Sequence, residues 1–285
     1  MNIKLEKVSY IYNPGTAGER CALKDIDLEI GGDCFIAVIG STGSGKSTLI
    51  QLLNGLIKPS SGIITFDGVS IYGEKDEKKL IRDIRCRVGL TFQYPEYQLF
   101  EETVYKDVAF GPKNLGIEGE ELDRRVKRAL DGVSLGPGYY EKSPFELSGG
   151  EMRRAAIAGM LAMEPEILIL DEPTAGLDPV GKIEILDKLK SIQNELHITI
   201  VLVSHTMDEV ASYADRVIAI DAGRIKMDMP VHEIFCHGDE LRAMGLEVPE
   251  AKSFVEELAA AGLQLDTGAI TVDEAAASIL AALKR

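Results

Sequence analysis

Apolar and polar residues alternate along Ile3 to Tyr12 (IKLEKVSYIY) and again along Leu23 to Ile30 (LKDIDLEI), a period of two that predicts half-buried β-strands. Cys34 to Ile39 is apolar almost without interruption, as a strand covered on both faces would be. The period then lengthens: Leu49, Leu52, Leu53 and Leu56 recur at helical spacing within Ser47 to Leu56, and Pro59 to Gly62 is expected to stop that helix. Ile63 to Ile71 predicts a hairpin turning at Asp67-Gly68, and Arg87 to Gln93 another short strand. From Tyr94 to about Met163 the pattern is that of charged helices, such as Glu120 to Val133 and Glu151 to Met163, joined by loops rich in Gly and Pro. Buried strands resume at Ile167, Ile198 and Val217, each beside helical sequence, so a parallel sheet with crossover helices is expected. Pro249 to Ala261 and Thr271 to Lys284 predict two last helices, the second opened by a capping box of Thr271 and Glu274.

The pattern divides the chain into an α/β core over 1–235, a helical subdomain inserted at about 94–163, and a helical extension over 236–285. Hydrophobic residues make up 45% of the 285, ample for a buried core. The apolar runs ILIL at Ile167 and ITIVLV at Ile198 have strand length, far short of the ~20 residues that span a membrane. The opening MNIKLEKVSYIY lacks the basic start, apolar stretch and cleavage site of a secretory leader, so a cytoplasmic location is expected. Cys21, Cys34, Cys86 and Cys236 are scattered without a CxxC pair, which argues against a zinc site or a disulfide framework. A net charge of -15 disfavours nucleic acid as the main partner and suits basic elements on a partner protein.

The chemistry lies where these elements join. Between the strand ending at Ile39 and the following helix stands GSTGSGKST, Gly40 to Thr48. Backbone N–H groups of Ser41, Thr42, Gly43, Ser44, Gly45 and Lys46 can wrap phosphates, since Gly43 and Gly45 permit unusual dihedrals and close approach. Lys46 adds a point charge for the β and γ phosphates, Ser47 a hydroxyl for Mg2+, and Thr48 a place in the first helical turn, where the dipole favours the α phosphate. The strand from Ile167 ends in two carboxylates, Asp171 and Glu172, whose repulsion a metal would relieve. Asp171 is placed to hold Mg2+ through water, and Glu172 to polarise the attacking water. His205 ends the strand from Ile198, and parallel strands present their C-terminal ends to one crevice, so it could reach the γ phosphate. Gln93 likewise ends a short strand, where its amide could sense Mg2+ or the lytic water.

LSGGE, Leu147 to Glu151, is a second anion site: Ser148, Gly149 and Gly150 offer a hydroxyl and free N–H groups at a helix start. One chain does not need two phosphate cradles, so Ser148 and Gly150 are expected to serve a triphosphate held by another subunit.

With these residues in view, the chain resembles the nucleotide-binding subunits of ATP-binding cassette (ABC) transporters over residues 1 to about 235. Gly40 to Thr48 is similar to Walker A, Gln93 to the Q-loop, Leu147 to Glu151 to the signature motif, Ile167 to Glu172 to Walker B, Ala175 to Asp178 to the D-loop and His205 to the switch histidine. The resemblance implies a P-loop NTPase fold with a RecA-like parallel sheet, an N-terminal antiparallel β subdomain and an inserted helical subdomain. It also implies ATP with Mg2+, adenine stacked on Tyr12 with Tyr10 as the competing choice, and Asp178 acting across a dimer. Glu151 stands where glutamine is commoner.

Phe92 to Gly116 (FQYPEYQLFEETVYKDVAFGPKNLG), the stretch around LSGGE and DELRAMGLEVPE at Asp239 to Glu250 are similar to the ATPases of energy-coupling factor importers, which take up vitamins and cobalt or nickel ions. That likeness implies a second ATPase, identical or paralogous, a transmembrane coupling protein docking on the segment after Gln93, a separate substrate-capture membrane protein, and a peripheral place on the cytoplasmic face of the cell membrane. Glu96, Glu101, Glu102 and Asp107 beside Leu99, Phe100, Val104 and Val108 predict an acidic groove with an apolar floor, suited to an arginine-bearing amphipathic helix. The alternatives are the ATPase of another ABC transporter type, or a soluble ABC ATPase of DNA repair or translation. A long coiled-coil insertion or paired cassettes with basic surfaces would mark the latter, and the sequence carries neither.

Overall fold

The computed structural model describes residues 1–283. Along the chain, β1 (Ile3–Tyr12), β2 (Arg20–Ile30) and β3 (Phe35–Ile39) lead through the glycine loop into α1 (Lys46–Leu53). The hairpin β4 (Ser61–Phe66) and β5 (Val69–Ser70) precedes α2 (Glu77–Arg87) and β6 (Val88–Thr91). The insert carries α3 (Val104–Asn114), α4 (Gly119–Gly132) and α5 (Gly149–Leu161). Then come β7 (Ile167–Asp171), α6 (Pro179–Leu196), β8 (Thr199–Val203), α7 (Met207–Tyr213), β9 (Arg216–Asp221) and β10 (Arg224–Pro230). Four helices close the chain: α8 (Val231–Ile234), α9 (Gly238–Ala243), α10 (Glu250–Ala260) and α11 (Val272–Leu283).

The six-stranded sheet has the order β10-β9-β3-β8-β7-β6, parallel except for β10 at its edge. Its central strands are apolar at nearly every position because both faces are covered. Leu168 and Leu170 of β7 and Ile200 and Leu202 of β8 pack against the insert helices and α6. Their alternates Ile167, Ile169, Val201 and Val203 face α1 and the antiparallel sheet β2-β1-β4-β5. Each such side chain contributes ~1.5–3 kcal/mol of burial. The sheet is thus the floor from which the C-termini of its five parallel strands project to one side.

The hairpin turns at Asp67 and Gly68, both left-handed (φ 49° and 80°), the shape that a tight two-residue turn between twisted strands requires. The capping box of α11 also forms: Glu274 N donates to Thr271 Oγ1, and the Glu274 carboxylate accepts from Thr271 N. The expected end of that helix at Lys284 lies outside the described residues.

Other expectations are corrected. The first helix ends at Leu53 rather than Leu56, because Gly55 turns left-handed (φ 67°) well before Pro59, which leaves Leu56 exposed. Helix α2 is an addition: Leu80, Ile81 and Ile84 recur at helical spacing within a highly charged segment and pack on the core below it. Beyond β10, Val231, Phe235, Leu241, Leu246, Val248 and Ile270 join Ile39, Val217 and Ala219 in a third apolar cluster. The expected boundary at 235 falls inside that cluster. Helices α10 and α11 keep a small cluster of their own, around Ala251, Val255, Ala269 and Ala275.

Candidate active site

The glycine loop is shaped by what crowds it. Gly45, the residue before α1, has φ 116°, and a Cβ there would lie 2.7 Å from both Ala22 O and Leu23 Cδ2. Left-handed backbone strain alone costs ~1–2 kcal/mol. Gly45→Ala is therefore expected to weaken ATP binding by at least about 10-fold, as measured by titration with a fluorescent ATP analogue.

Lys46 Nζ donates to Gly40 O (2.6 Å) and Ser41 O (3.0 Å), both acceptors, as phosphate oxygens are. Burial lowers its pKa, while Glu172 and Asp171 act in the opposite direction. The loop borders a cleft of about 310 Å³ lined by Tyr12, Arg20, Ala22, Lys46, Ser47 and Thr48 among others. Tyr12 reaches it with its hydroxyl 3.2 Å from Thr48 Oγ1, whereas Tyr10 packs partly buried against the core, edge-on to Tyr12.

Facing the loop are the ends of β7, β8 and β6. Burial, then the adjacent charge of Glu172, raises the Asp171 carboxyl above its ordinary pKa; Lys46 and a hydrogen bond from the Ser47 hydroxyl pull it back. A half-buried carboxylate repelled by its neighbour and touching a hydroxyl suits a divalent cation, so Ser47 and Asp171 fit Mg2+, with Gln93 nearby through Glu172. Glu172 follows β7 with φ 50°, a left-handed backbone that a glutamate adopts only where its surroundings enforce it. Gln93 Nε2 donates to its Oε2 at 3.0 Å, and His205 Nδ1 stands 3.4 Å from its Oε1. The residues expected from three separate strand ends thus converge on one carboxylate.

Ser148, Gly150 and Asp178 do not join this group; their polar contacts are local. Ser148 caps α5, its Oγ accepting from Glu151 N while the Glu151 carboxylate accepts from Ser148 N at 2.8 Å. That backbone N–H, then the Tyr139 hydroxyl, pushes Glu151 down to about 2. The fifth residue of LSGGE therefore serves as the partner in a capping box. Asp178 caps α6 by accepting from Gly181 N at 2.7 Å.

Residues 23–175 match the family model described as ABC transporter. Over its whole length the chain is 51% identical to the energy-coupling factor transporter ATP-binding protein EcfA2 of Caldanaerobacter subterraneus subsp. tengcongensis, covering 98% of that protein. It is 48% identical to the protein of that name from Clostridium perfringens, with 98% of each chain covered. The chain belongs to the ABC transporter family, among its energy-coupling factor ATPases. Its fold is similar to that of cbiO1 from Clostridium perfringens, part of the transporter complex cbiONQ (TM-score 0.75, 41% identity, 85% of this chain and 93% of that one). A dimeric post-hydrolysis cassette, MJ0796 bound to ADP and Pi, matches with TM-score 0.70 and 29% identity over 80% of this chain and 98% of that one.

In this ABC ATPase the segment after Gln93 differs from the expected acidic groove. Glu96 is withdrawn into an ion pair with buried Arg153, and the Asp107 carboxylate accepts from the backbone N–H of Phe100 and Glu101. Leu99, Val104 and Val108 belong to the core. What faces outward is Tyr97 (84% exposed), the edge-to-face pair Phe100 and Phe110, and Glu102 beside Lys106, with Glu101 half-buried between them in sequence. A short apolar-charged run cannot reveal which carboxylates are taken up by partners far along the chain.

Arg20, which no sequence motif marks, also braces the glycine loop: its guanidinium donates to Gly43 O at 3.0 Å. It lies just before the strand expected from Leu23, and pairing of β2 with β1 is what carries it to the cleft.

Proposed function

We propose that this chain is the ATP-hydrolysing subunit of an energy-coupling factor importer that powers uptake of a micronutrient, a vitamin or a cobalt or nickel ion. The observation that carries this reading is likeness along the full chain, extension included, to proteins named as energy-coupling factor ATPases, combined with a complete set of hydrolytic side chains.

In the mechanism, Tyr12 stacks on adenine and the backbone of Gly40 to Thr48 with Lys46 holds the phosphates. Ser47, Gln93 and, through water, Asp171 would hold Mg2+, which would supply positive charge to offset that of the phosphates. Glu172 orients and deprotonates the attacking water, and His205 hydrogen-bonds the γ phosphate. Ser148, Gly150 and Asp178 complete the site of a second ATPase, a copy of this chain or a paralogue. Closure and reopening of the pair rock a transmembrane coupling protein, which works with a substrate-capture membrane protein at the cytoplasmic face. Among the described residues no helix is long and apolar enough to cross a membrane.

The docking surface is the outward face of Glu96 to Phe110, that is Tyr97, Phe100, Phe110, Glu101 and Glu102. Pull-down of the tagged chain from its native membranes, with identification of companions, tests the whole reading. Recovery of a second ATPase, a multi-span protein and small substrate-binding membrane proteins supports it; recovery of soluble partners alone overturns it. Reversing Glu101 and Glu102 to lysine is expected to lower recovery of the multi-span protein by roughly 10-fold or more while ATP binding stays intact. Unchanged recovery would remove this face from the proposal.

A further inference from the structure

Two buried ions of opposite charge grip the three residues that follow Glu172. From one side Arg153 of α5, 2% exposed, donates through Nη1 to Pro173 O (2.8 Å) and Ala175 O (2.6 Å). Its Nε and Nη2 bind the Glu96 carboxylate in bidentate fashion at 3.2 and 2.9 Å. From the other side Glu209 of α7, 7% exposed, accepts from Thr174 Oγ1 at 2.9 Å and Ser204 Oγ at 3.0 Å, and faces Lys182 Nζ at 3.5 Å. The Ser204 oxygen accepts in turn from Thr206 N at 3.1 Å, so Glu209 also braces the turn that carries His205.

Burial alone does not call for this arrangement. Desolvating a guanidinium and a carboxylate is costly, and apolar side chains of similar volume would cover the same loop at least as stably. Ions add direction: the planar fork of Arg153 fixes where two carbonyls point, and Glu209 fixes one hydroxyl on the loop and one on the strand end. The loop needs such direction, since Glu172 at its head is held at φ 50°.

We propose that Arg153 and Glu209 are positioning residues for hydrolysis, holding Pro173 to Ala175, and through it Glu172 and the His205 turn, in reactive geometry. Arg153 also links that loop to Glu96, so a shift of the docking segment is transmitted to the water-activating carboxylate. This rests on the role proposed for Glu172.

The test uses the full chain assembled with its co-purifying subunits, comparing T174V, E209Q and R153K with the parent for kcat, KM for ATP and thermal midpoint. T174V removes one hydrogen bond at nearly constant volume and decides the matter should E209Q fail to fold. Expected are falls in kcat of roughly 5-fold for T174V and about 10- to 100-fold for E209Q and R153K, as for groups displaced from attack geometry, with KM within about twofold. T174V/E209Q should be no slower than E209Q, because both act along one path. Unchanged kcat in T174V and E209Q, additive losses in the double variant, or losses of ATP binding and thermal midpoint in step with kcat would each overturn the proposal. E172Q, run in parallel, separates the two ideas: normal hydrolysis there sinks the role of Glu172 itself.

Discussion

Glu172→Gln is expected to slow ATP hydrolysis by roughly 10²-fold or more, the range for loss of a positioned general base, while leaving ATP binding within about twofold of the parent. Gln93 and His205 converge on this carboxylate from the ends of two other strands, and the glycine loop with Lys46 stands opposite. The amide keeps the shape of the carboxylate and its acceptor oxygen, so the Gln93 contact survives; what disappears is the capacity to take a proton from water. The phosphate contacts proposed for Gly40 to Thr48 are not touched by the change. Single-turnover hydrolysis and equilibrium binding of labelled ATP, measured on one preparation, separate the two effects. Hydrolysis retained to within a few-fold would assign water activation elsewhere and leave the carboxylate a structural partner of Gln93.

The parts of this site that could be read from the sequence are those whose chemistry is local. A strand, a glycine loop and a helix are contiguous, and so is a strand that ends in Asp171 and Glu172. Helix α2 was hidden because its apolar positions, Leu80, Ile81 and Ile84, are outnumbered by charges, so tertiary packing on the core rather than pattern density holds it. The buried ions were illegible for a different reason. Arg153 and Glu96 are 57 residues apart, and Glu209 and Thr174 are 35 apart. Each looks like an ordinary solvated charge on a helix or loop until the sheet brings β6, β7 and β8 side by side. For the same reason the pairing of the Glu96 carboxylate with Arg153 is invisible in the run from Glu96 to Asp107.

Ser148→Asp is expected to abolish ATP-driven pairing of two copies of this chain and to lower hydrolysis at the site it completes by about 10²-fold, yet to leave the isolated chain folded and able to bind ATP. The structure makes this variant selective. Ser148 caps α5 through its side-chain oxygen, and aspartate is as good an N-cap as serine, so the helix start should change by less than ~1 kcal/mol. The serine oxygen accepts from Glu151 N, which leaves its O–H proton free to be donated to a phosphate brought by another subunit. Aspartate has no such proton at neutral pH and puts a negative charge against the triphosphate, an unfavourable pairing where water is excluded. Size-exclusion chromatography with ATP in a non-hydrolysing Glu172→Gln background reads the pairing directly. In a homodimer both sites would be lost together. If the natural partner is a paralogue, only the site whose glycine loop lies in the partner should fail, leaving the one built on Gly40 to Thr48 loaded and competent, so a residual of about half the sites would identify the pair as unequal. Normal pairing and hydrolysis in Ser148→Asp would mean that LSGGE caps a helix and does nothing across an interface.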